Sequence, residues 1–185
     1  SAPVWSPDSK SIAFVSSMSG NPDLYNYNLK TKKISRLTSH YGIDTEPAWS
    51  PDSKKLLFTS NRSGSPQIFE IKLSNKRIKR VTLEGSYNSR SRFFPDGRNI
   101  VFVHGNNGVF HIATRNLKER FINIVTETKL DESPTISPNG HIIIYSAKKD
   151  DQGYLAGITL DRKSKFELPV KIGSVREPAW SPFLN

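Results

Sequence analysis

Aspartates recur at a fixed interval along this chain, and closely placed carboxylates are a common means of general acid–base catalysis. Asp8, Asp52 and Asp96 each follow a proline directly, and 44 residues separate one from the next. Such regular spacing puts each aspartate at the same position of a separate structural unit, so the three carboxylates should lie far apart. Proline followed by aspartate is typical of a turn, because proline presets φ and aspartate bonds nearby backbone. We therefore interpret these aspartates as turn formers.

The other candidates for chemistry lack the spacing that a catalytic or metal site requires. The four histidines fit neither a catalytic triad nor a zinc motif, and the G-x-S-x-G nucleophile elbow of serine hydrolases is absent. The chain has no cysteine, so it has no disulfide and no thiolate ligand. No catalytic residue, cofactor or metal is predicted. Nothing in the spacing demands calcium, although four acids could supply oxygen ligands to it: Glu46, Asp131, Glu132 and Glu177.

The chain is basic, with 27 Lys and Arg against 17 Asp and Glu and a formal net charge of +10. A basic excess can indicate a nucleic acid, an anionic surface or an acidic protein as partner. The cations form short clusters around every repeat and not one stripe interleaved with aromatics, so we predict a solvated outer rim and no nucleic-acid binding. No apolar run approaches the ~18 residues that a membrane span needs, so no membrane insertion is predicted.

A repeat of about 44 residues supplies the elements that position these side chains. The motif Trp-Ser-Pro-Asp-Ser-Lys stands at 5–10 and 49–54, with variants at 93–98 and 136–141 and a partial copy at 180–182. Its prolines are separated by 44, 44, 43 and 44 residues. Each repeat contains four short runs that read as strands, for example 46–50, 55–60, 67–73 and 77–82. Four strands per unit at this period indicate an all-β fold of the β-propeller type.

The same pattern predicts where the core and the binding surface lie. The large residues at the start of the motif, Trp5, Trp49, Phe93 and Trp180, are expected as buried wedges between blades. If the inner strand of each blade runs downward, the proline turns lie on the bottom face. The loops that vary between repeats then lie on the top face, where binding residues usually occur. These loops are 39–45, 61–66, 83–89, 104–108, 126–132, 147–153 and 169–176.

Several stretches resemble the TolB family closely. The repeat itself is shared with some peptidase propellers, but the runs at 44–49 (DTEPAW), 83–88 (LEGSYN), 130–134 (LDESP) and 176–184 (REPAWSPFL) are similar to TolB sequences in particular. The resemblance covers the whole chain and implies a six-bladed propeller preceded by an α/β domain. It divides this chain into four blades, 1–44, 45–88, 89–131 and 132–175, and a closing inner strand, 176–185. The α/β domain and the first two blades are expected to be absent.

The resemblance also implies a function. TolB proteins are non-enzymatic periplasmic scaffolds of the Tol-Pal cell-envelope system, which supports outer-membrane integrity and cell division. The peptidoglycan-associated lipoprotein Pal docks at the mouth of the propeller channel, colicin peptides thread into the same opening, and TolA binds through the N-terminal region. The family's contact positions correspond to Ala2 and Thr45, with Glu46 beside them. Position alone adds His40, Tyr41, Arg62, Arg90, Asp131, Glu132 and Arg176.

Two observations qualify this interpretation. The run at 89–92 contains two arginines, Arg90 and Arg92, which make the channel opening more basic than the family pattern. The same repeat also occurs in the propeller caps of prolyl-oligopeptidase-like serine peptidases, which is the alternative function.

Overall fold

The computed structural model describes residues 2–149, 152–168 and 173–181. These residues form four antiparallel sheets of four strands each, with no helix in the described ranges. The prediction of an all-β propeller fold is confirmed. The strands in chain order are β1 (Val4–Trp5), β2 (Ser11–Ser16), β3 (Asp23–Asn28), β4 (Ile34–Arg36), β5 (Asp44–Trp49), β6 (Lys55–Ser63), β7 (Ser65–Lys72), β8 (Arg77–Arg80), β9 (Tyr87–Phe93), β10 (Asn99–Asn106), β11 (Val109–Asn116), β12 (Asn123–Ile124), β13 (Glu132–Ile136), β14 (Ile142–Lys149), β15 (Gln152–Thr159) and β16 (Lys165–Leu168).

Each sheet is one blade, because its strands pair in the order in which they occur along the chain. We number the blades 1 to 4, so that β1, β5, β9 and β13 are the inner strands and β4, β8, β12 and β16 the outer ones. Neighbouring inner strands contact one another, which places them around a shared channel.

The core lies between the faces of successive blades. One apolar cluster joins blades 1 and 2 around Phe58, a second joins blades 2 and 3 around Phe102, and a third joins blades 3 and 4 around Ile143. All three of these side chains are fully buried. Such burial of large apolar side chains is the main force that holds one blade against the next.

The proline turns have the predicted structure. The Ser50 hydroxyl donates to Asp52 at 2.6 Å, and the Lys54 backbone N–H donates to the same carboxyl oxygen at 3.1 Å. The hydrogen bond from Ser50 contributes most to holding the pKa of Asp52 below its usual value, and the bond from the Lys54 backbone adds to this effect. Asp8 and Asp96 accept equivalent backbone bonds in blades 1 and 3. Their interpretation as turn formers is confirmed.

The prediction that all the large motif residues are buried wedges is wrong for Trp5, which is 63% exposed. Trp49 packs into the core between blades 1 and 2, and Phe93 packs into the core between blades 2 and 3. Each wedge therefore fills the space against the preceding blade. Among the described residues, no blade precedes Trp5, so its side chain has no such space to fill.

Two predicted top loops are mostly strand. In blade 2, β6 and β7 extend through the predicted loop 61–66 and leave only Gly64, with φ of 103°, between them. In blade 3 the predicted loop 104–108 shrinks to Asn107 and Gly108, whose φ values of 50° and 78° suit a two-residue hairpin turn. Strand pairing continues because these residues tolerate the left-handed backbone that a tight turn requires. The predicted loops 147–153 and 169–176 fall partly on 150–151 and 169–172, outside the described residues.

The predicted closing segment 176–185 also lies partly outside the described residues, which end at residue 181. Its described part, 176–181, does not form a strand. Glu177 nevertheless has φ of 54°, close to the values at Glu46, Arg90 and Ser133, which are 56°, 53° and 56°. Glu46, Arg90 and Ser133 lie at β-bulges in the inner strands of blades 2, 3 and 4. A bulge turns the side chain of its extra residue away from the regular alternation of the strand.

Candidate functional site

The inner strands enclose a cavity of about 510 Å³ along the channel. Every blade contributes to its wall, and so does the segment that follows blade 4. The wall residues are Ala2, Val4, Thr45, Glu46, Pro47, Arg90, Arg92, Ser133, Pro134, Thr135, Glu177, Pro178 and Ala179.

Arg90 is the centre of this channel site. Its guanidinium lies 3.5 Å from a carboxylate oxygen of Glu46 and 3.3 Å from one of Glu177, and it donates to the Ser133 hydroxyl at 2.6 Å. Its backbone N–H donates to Glu46 at 2.9 Å. These four residues occupy the same position in successive repeats and share the left-handed backbone. In blades 2, 3 and 4 the bulges therefore aim one polar side chain each at a common point, and Glu177, with the same backbone, joins them there.

Arg92 lies in the same cavity, two residues further along β9. The equivalent positions in the other repeats are Val4, Ala48, Thr135 and Ala179, so Arg92 is the one charged residue of this layer. Desolvation by the channel wall lowers the pKa of Arg92, although the residue stays exposed, and the nearby charge of Glu46 opposes that shift. The two arginines balance the charges of Glu46 and Glu177, so these four channel side chains are together neutral.

A second cavity, of about 480 Å³, opens between blades 3 and 4 and shares Arg90 with the channel. Tyr87 and Phe110 form part of its wall and meet edge to face, with ring centroids 5.3 Å apart. Arg176 lies 3.6 Å from Glu132 at the rim of this cavity. The cavity thus offers an aromatic wall with charged groups at its opening, which suits an amphipathic side chain of a partner.

Asp131 also borders this second cavity, but its side chain is only 1% exposed. It accepts hydrogen bonds from the hydroxyls of Thr126 and Thr128, the latter at 2.6 Å. Burial raises the pKa of Asp131 despite these two bonds. Burial and the charge of Asp131 together help to raise the pKa of Tyr145 to about 12. Asp131 therefore fixes the loop before β13 and presents little surface to a partner.

The Asp131→Asn variant should gain stability relative to the unmodified protein as the pH rises. A raised pKa means that the folded state holds its proton to a higher pH than the unfolded chain, so ionisation of Asp131 costs stability above the usual aspartate range. The variant lacks this cost. Urea unfolding of both proteins at several pH values between about 3 and 7 measures the difference in unfolding free energy.

The matched control is Asp161→Asn. The Thr159 hydroxyl is the main cause of the lowered pKa of Asp161, so this carboxylate contributes stability that is lost as the pH falls. Relative to the unmodified chain, the two variants should therefore change in opposite directions with pH. Parallel changes would contradict the assigned role of burial at Asp131.

The remaining predicted binding residues lie outside the walls of both cavities. Arg62 forms an ion pair with Asp44, at 2.6 Å, and its guanidinium lies 5.2 Å from the ring centroids of Phe58 and Phe69. His40 accepts a hydrogen bond from the Gly42 N–H and lies against the ring of Tyr41, with centroids 4.1 Å apart. Tyr41 is 85% exposed, so it can be reached by a partner that covers the top loops of blade 1.

The structure thus divides the predicted residues into three groups. Ala2, Thr45, Glu46 and Arg90 line the channel, and Arg90, Asp131, Glu132 and Arg176 line the second cavity. His40, Tyr41 and Arg62 line neither. Sequence reasoning did not select Ser133, although its repeat spacing from Glu46 and Arg90 would have found it. The pairing of Tyr87 with Phe110 across two strands had no signal in the sequence.

Potential metal ligands do not converge in this way in the described ranges. No group of three or more potential metal ligands forms there, and the four acids considered for calcium are divided between Arg90, Arg176 and the threonines around Asp131. His104 bonds through Nδ1 to the Asn88 side chain at 2.9 Å, and burial lowers its pKa.

The fold and the site together define a class: a β-propeller of four-stranded blades around a polar channel. Within this class the chain matches the TolB β-propeller domain family over residues 1–184. The chain belongs to that family.

Individual relatives agree with this assignment. The Tol-Pal system protein TolB of Alcanivorax borkumensis is 49% identical over 75 residues, which are 40% of this chain and 17% of that protein. The TolB of Pseudomonas entomophila is 43% identical over 76 residues, 41% of this chain and 18% of that protein. The crystal structure of TolB from Acinetobacter baumannii superposes with a TM-score of 0.91 and 42% identity, over 98% of this chain and 46% of that one. The chain thus spans about half the length of that solved relative.

More distant structures share the fold alone. A puromycin hydrolase superposes with a TM-score of 0.74 at 11% identity, over 89% of this chain and 28% of that one. Within the described residues, no helix is long and apolar enough to cross a membrane.

Proposed function

We propose that this chain is the protein-binding part of a non-enzymatic periplasmic scaffold of the Tol-Pal system. Its channel mouth docks Pal, and colicin peptides that exploit the system enter the same opening. Through Pal the scaffold supports outer-membrane integrity and cell division, and TolA binds outside the residues of this chain. The observation that carries the proposal is the convergence of Glu46, Arg90, Ser133 and Glu177 from successive repeats on the channel.

This convergence has the properties of a docking site. The side chains of Arg90 and Glu46 are 33% and 23% exposed, and that of Glu177 is 74% exposed. They are held by one another yet remain in contact with water, so an inserted loop can exchange hydrogen bonds with them at small desolvation cost. The blades around them are packed against one another through three apolar clusters, which limits the entropy lost when the partner binds.

The second cavity supports the same function. An arginine and aromatic rings commonly anchor protein interfaces, and here Arg90 lies in the wall of the cavity that also holds Tyr87 and Phe110. A partner segment that enters the channel can place a neighbouring side chain against this aromatic wall.

The alternative function, the propeller cap of a serine peptidase, rests on similarity of fold. The peptidases that superpose on this chain do so at 11–14% identity, whereas the TolB structure does so at 42%. Turnover of a chromogenic peptide by the purified protein would favour the peptidase assignment.

The test of the docking proposal is calorimetric titration of Pal into the protein and a Thr45→Arg variant. Thr45 lines the channel, so a long charged side chain there should obstruct the partner and weaken binding at least about ten-fold, which corresponds to ~1.4 kcal/mol. Ser74→Arg adds the same charge at an exposed site between β7 and β8 and serves as the control.

Two outcomes would overturn the proposal. One is an absence of Pal binding by the unmodified protein. The other is an equal loss of affinity in both variants, since that would show an effect of added charge and not of channel access. A Glu46→Lys variant tests the charged site itself, and its thermal unfolding must be measured beside its affinity because Glu46 also accepts a bond from Thr59 at 2.7 Å.

A further inference from the structure

Basic clusters occur in every repeat, as the sequence predicted, but the excess of cations over acids is greatest on one part of the outer edge. Segments 29–36 and 72–80 contain the turn and the outer strand of blades 1 and 2, with the last residue of β7 added in blade 2, and they hold nine Lys and Arg and no Asp or Glu. The corresponding segment of blade 3, 117–124, has two cations and one acid, and that of blade 4, 160–168, has three cations and two acids. We call segments 29–36 and 72–80 together the basic rim.

The basic rim is one continuous surface. The Lys76 side chain of blade 2 donates to the backbone carbonyl of Arg36 in blade 1, at 2.9 Å. All nine cations except Arg36 are exposed, and Arg36 is half-buried. The two blades therefore present their cations side by side.

Few of these charges are neutralised within the protein. Arg36 pairs with the buried Asp23, and Lys79 lies 3.3 Å from the buried Glu70. In the described part of the chain, the other seven cations form no ion pair with an acid. Seven uncompensated charges at one edge create a positive potential that attracts anions.

Protection of an open sheet edge does not explain this composition. Lysine on an edge strand prevents unwanted strand pairing. The outer edges of blades 3 and 4 are equally open, yet they mix cations with acids. Protection alone therefore does not require the exclusion of every acid from the edges of blades 1 and 2.

We propose that the basic rim binds the surface of an anionic phospholipid bilayer. The rim consists of the outer strands and hairpin turns of two neighbouring blades, and its exposed cations can contact a flat, multivalent surface together. It contains no aromatic residue on which nucleic-acid bases could stack. Ile34, 54% exposed among the cations, offers an apolar contact at the level of the headgroups. The contact is peripheral, and it does not depend on partner docking at the channel.

The test is co-sedimentation of the protein with vesicles of phosphatidylcholine alone or of equal parts phosphatidylcholine and phosphatidylglycerol. Binding should require phosphatidylglycerol and weaken as the salt concentration rises from about 0.05 M to about 0.5 M, because salt screens exposed charges. The rim variant carries Lys30→Gln, Lys33→Gln, Lys72→Gln and Arg77→Gln together. Each cation near an anionic bilayer raises the partition coefficient about five-fold. The partition coefficient of this variant onto phosphatidylglycerol vesicles should therefore fall at least about ten-fold.

The matched control variant carries Lys118→Gln, Arg120→Gln, Arg162→Gln and Lys163→Gln, which remove the same charge from blades 3 and 4. Its partition coefficient onto the same vesicles should fall less than about three-fold, since its substituted residues lie outside the basic rim. Thermal unfolding of both variants checks that they fold.

Three results would overturn the proposal. Equal losses in the two variants would show that net charge alone drives adsorption. Equal sedimentation with both vesicle types would exclude anionic lipid as the ligand. Binding of a random DNA duplex without binding of phosphatidylglycerol vesicles would assign the rim to an anionic polymer.

Discussion

Replacing Arg62 with methionine is expected to destabilise the protein by about 3–5 kcal/mol, as is usual when one partner of a buried ion pair is removed. The Asp44 side chain is fully buried, and the Arg62 guanidinium, 2.6 Å away, is its cationic partner. One carboxyl oxygen of Asp44 has no hydrogen bond at all, so the charge depends on Arg62. Methionine keeps much of the packing against Phe58 and Phe69 and removes the charge. Urea unfolding measures the loss.

A double variant separates the charge from the packing. Arg62→Met combined with Asp44→Leu removes both charges, and replacement of a buried ion pair by apolar side chains is often nearly neutral. The double variant should therefore recover a large part of the stability that the single variant loses. Arg77→Met, at an exposed position of β8, should change stability by no more than about 0.5 kcal/mol.

This prediction also decides the role of Arg62, which the sequence placed among the partner-binding residues. A structural role requires a large loss of stability in Arg62→Met and recovery in the double variant. A variant that unfolds like the unmodified protein yet lacks the proposed binding of Pal would contradict the structural role and return Arg62 to the binding surface.

Replacing Phe102 with alanine is expected to cost about 3–5 kcal/mol of unfolding free energy. Phe102 is fully buried between blades 2 and 3, where it packs in one cluster with Leu57, Ile68 and Ile100. Alanine leaves a cavity that neighbouring strands cannot fill, because their hydrogen-bonded registers fix their positions. The loss combines the transfer of the ring with the cost of that cavity. Chemical unfolding followed by tryptophan fluorescence measures it.

Phe121→Ala is the control, since this ring is 75% exposed beside the outer edge of blade 3. Its effect should stay within about 0.5 kcal/mol. Comparable losses at the two positions would mean that the contact between blades does not hold the fold together, contrary to the arrangement of the three apolar clusters.

The repeat explains why the sequence predicted the architecture well. Strand alternation and the proline turn are local properties, and four or five copies of each signal reinforce one another. Asp52 shows this directly, because its turn bonds involve residues two positions away. The strand ends were less predictable. Glycine and polar residues at 61–66 suggest a loop, but the backbone of blade 2 continues its pairing to Ser63 and resumes it at Ser65.

The site was predicted only in outline. The repeat offset identifies Glu46 and Arg90 as equivalent positions, but it does not state that their side chains meet. Their contact arises because the bulges rotate both side chains toward the channel. Arg62 shows the opposite error, since a loop arginine that looks available in sequence is directed inward by a buried carboxylate.

The amino-acid sequence by itself determined the period, the strand count per blade, the turns and the family, because all of these follow from short-range patterns that recur. Tertiary structure alone decided which charges face each other. It brought Arg90 between Glu46 and Glu177, buried Asp131, exposed Trp5 and joined the cations of blades 1 and 2 into one rim. These outcomes depend on how blades pack around an axis, and residues more than forty positions apart carry no local signal of that packing.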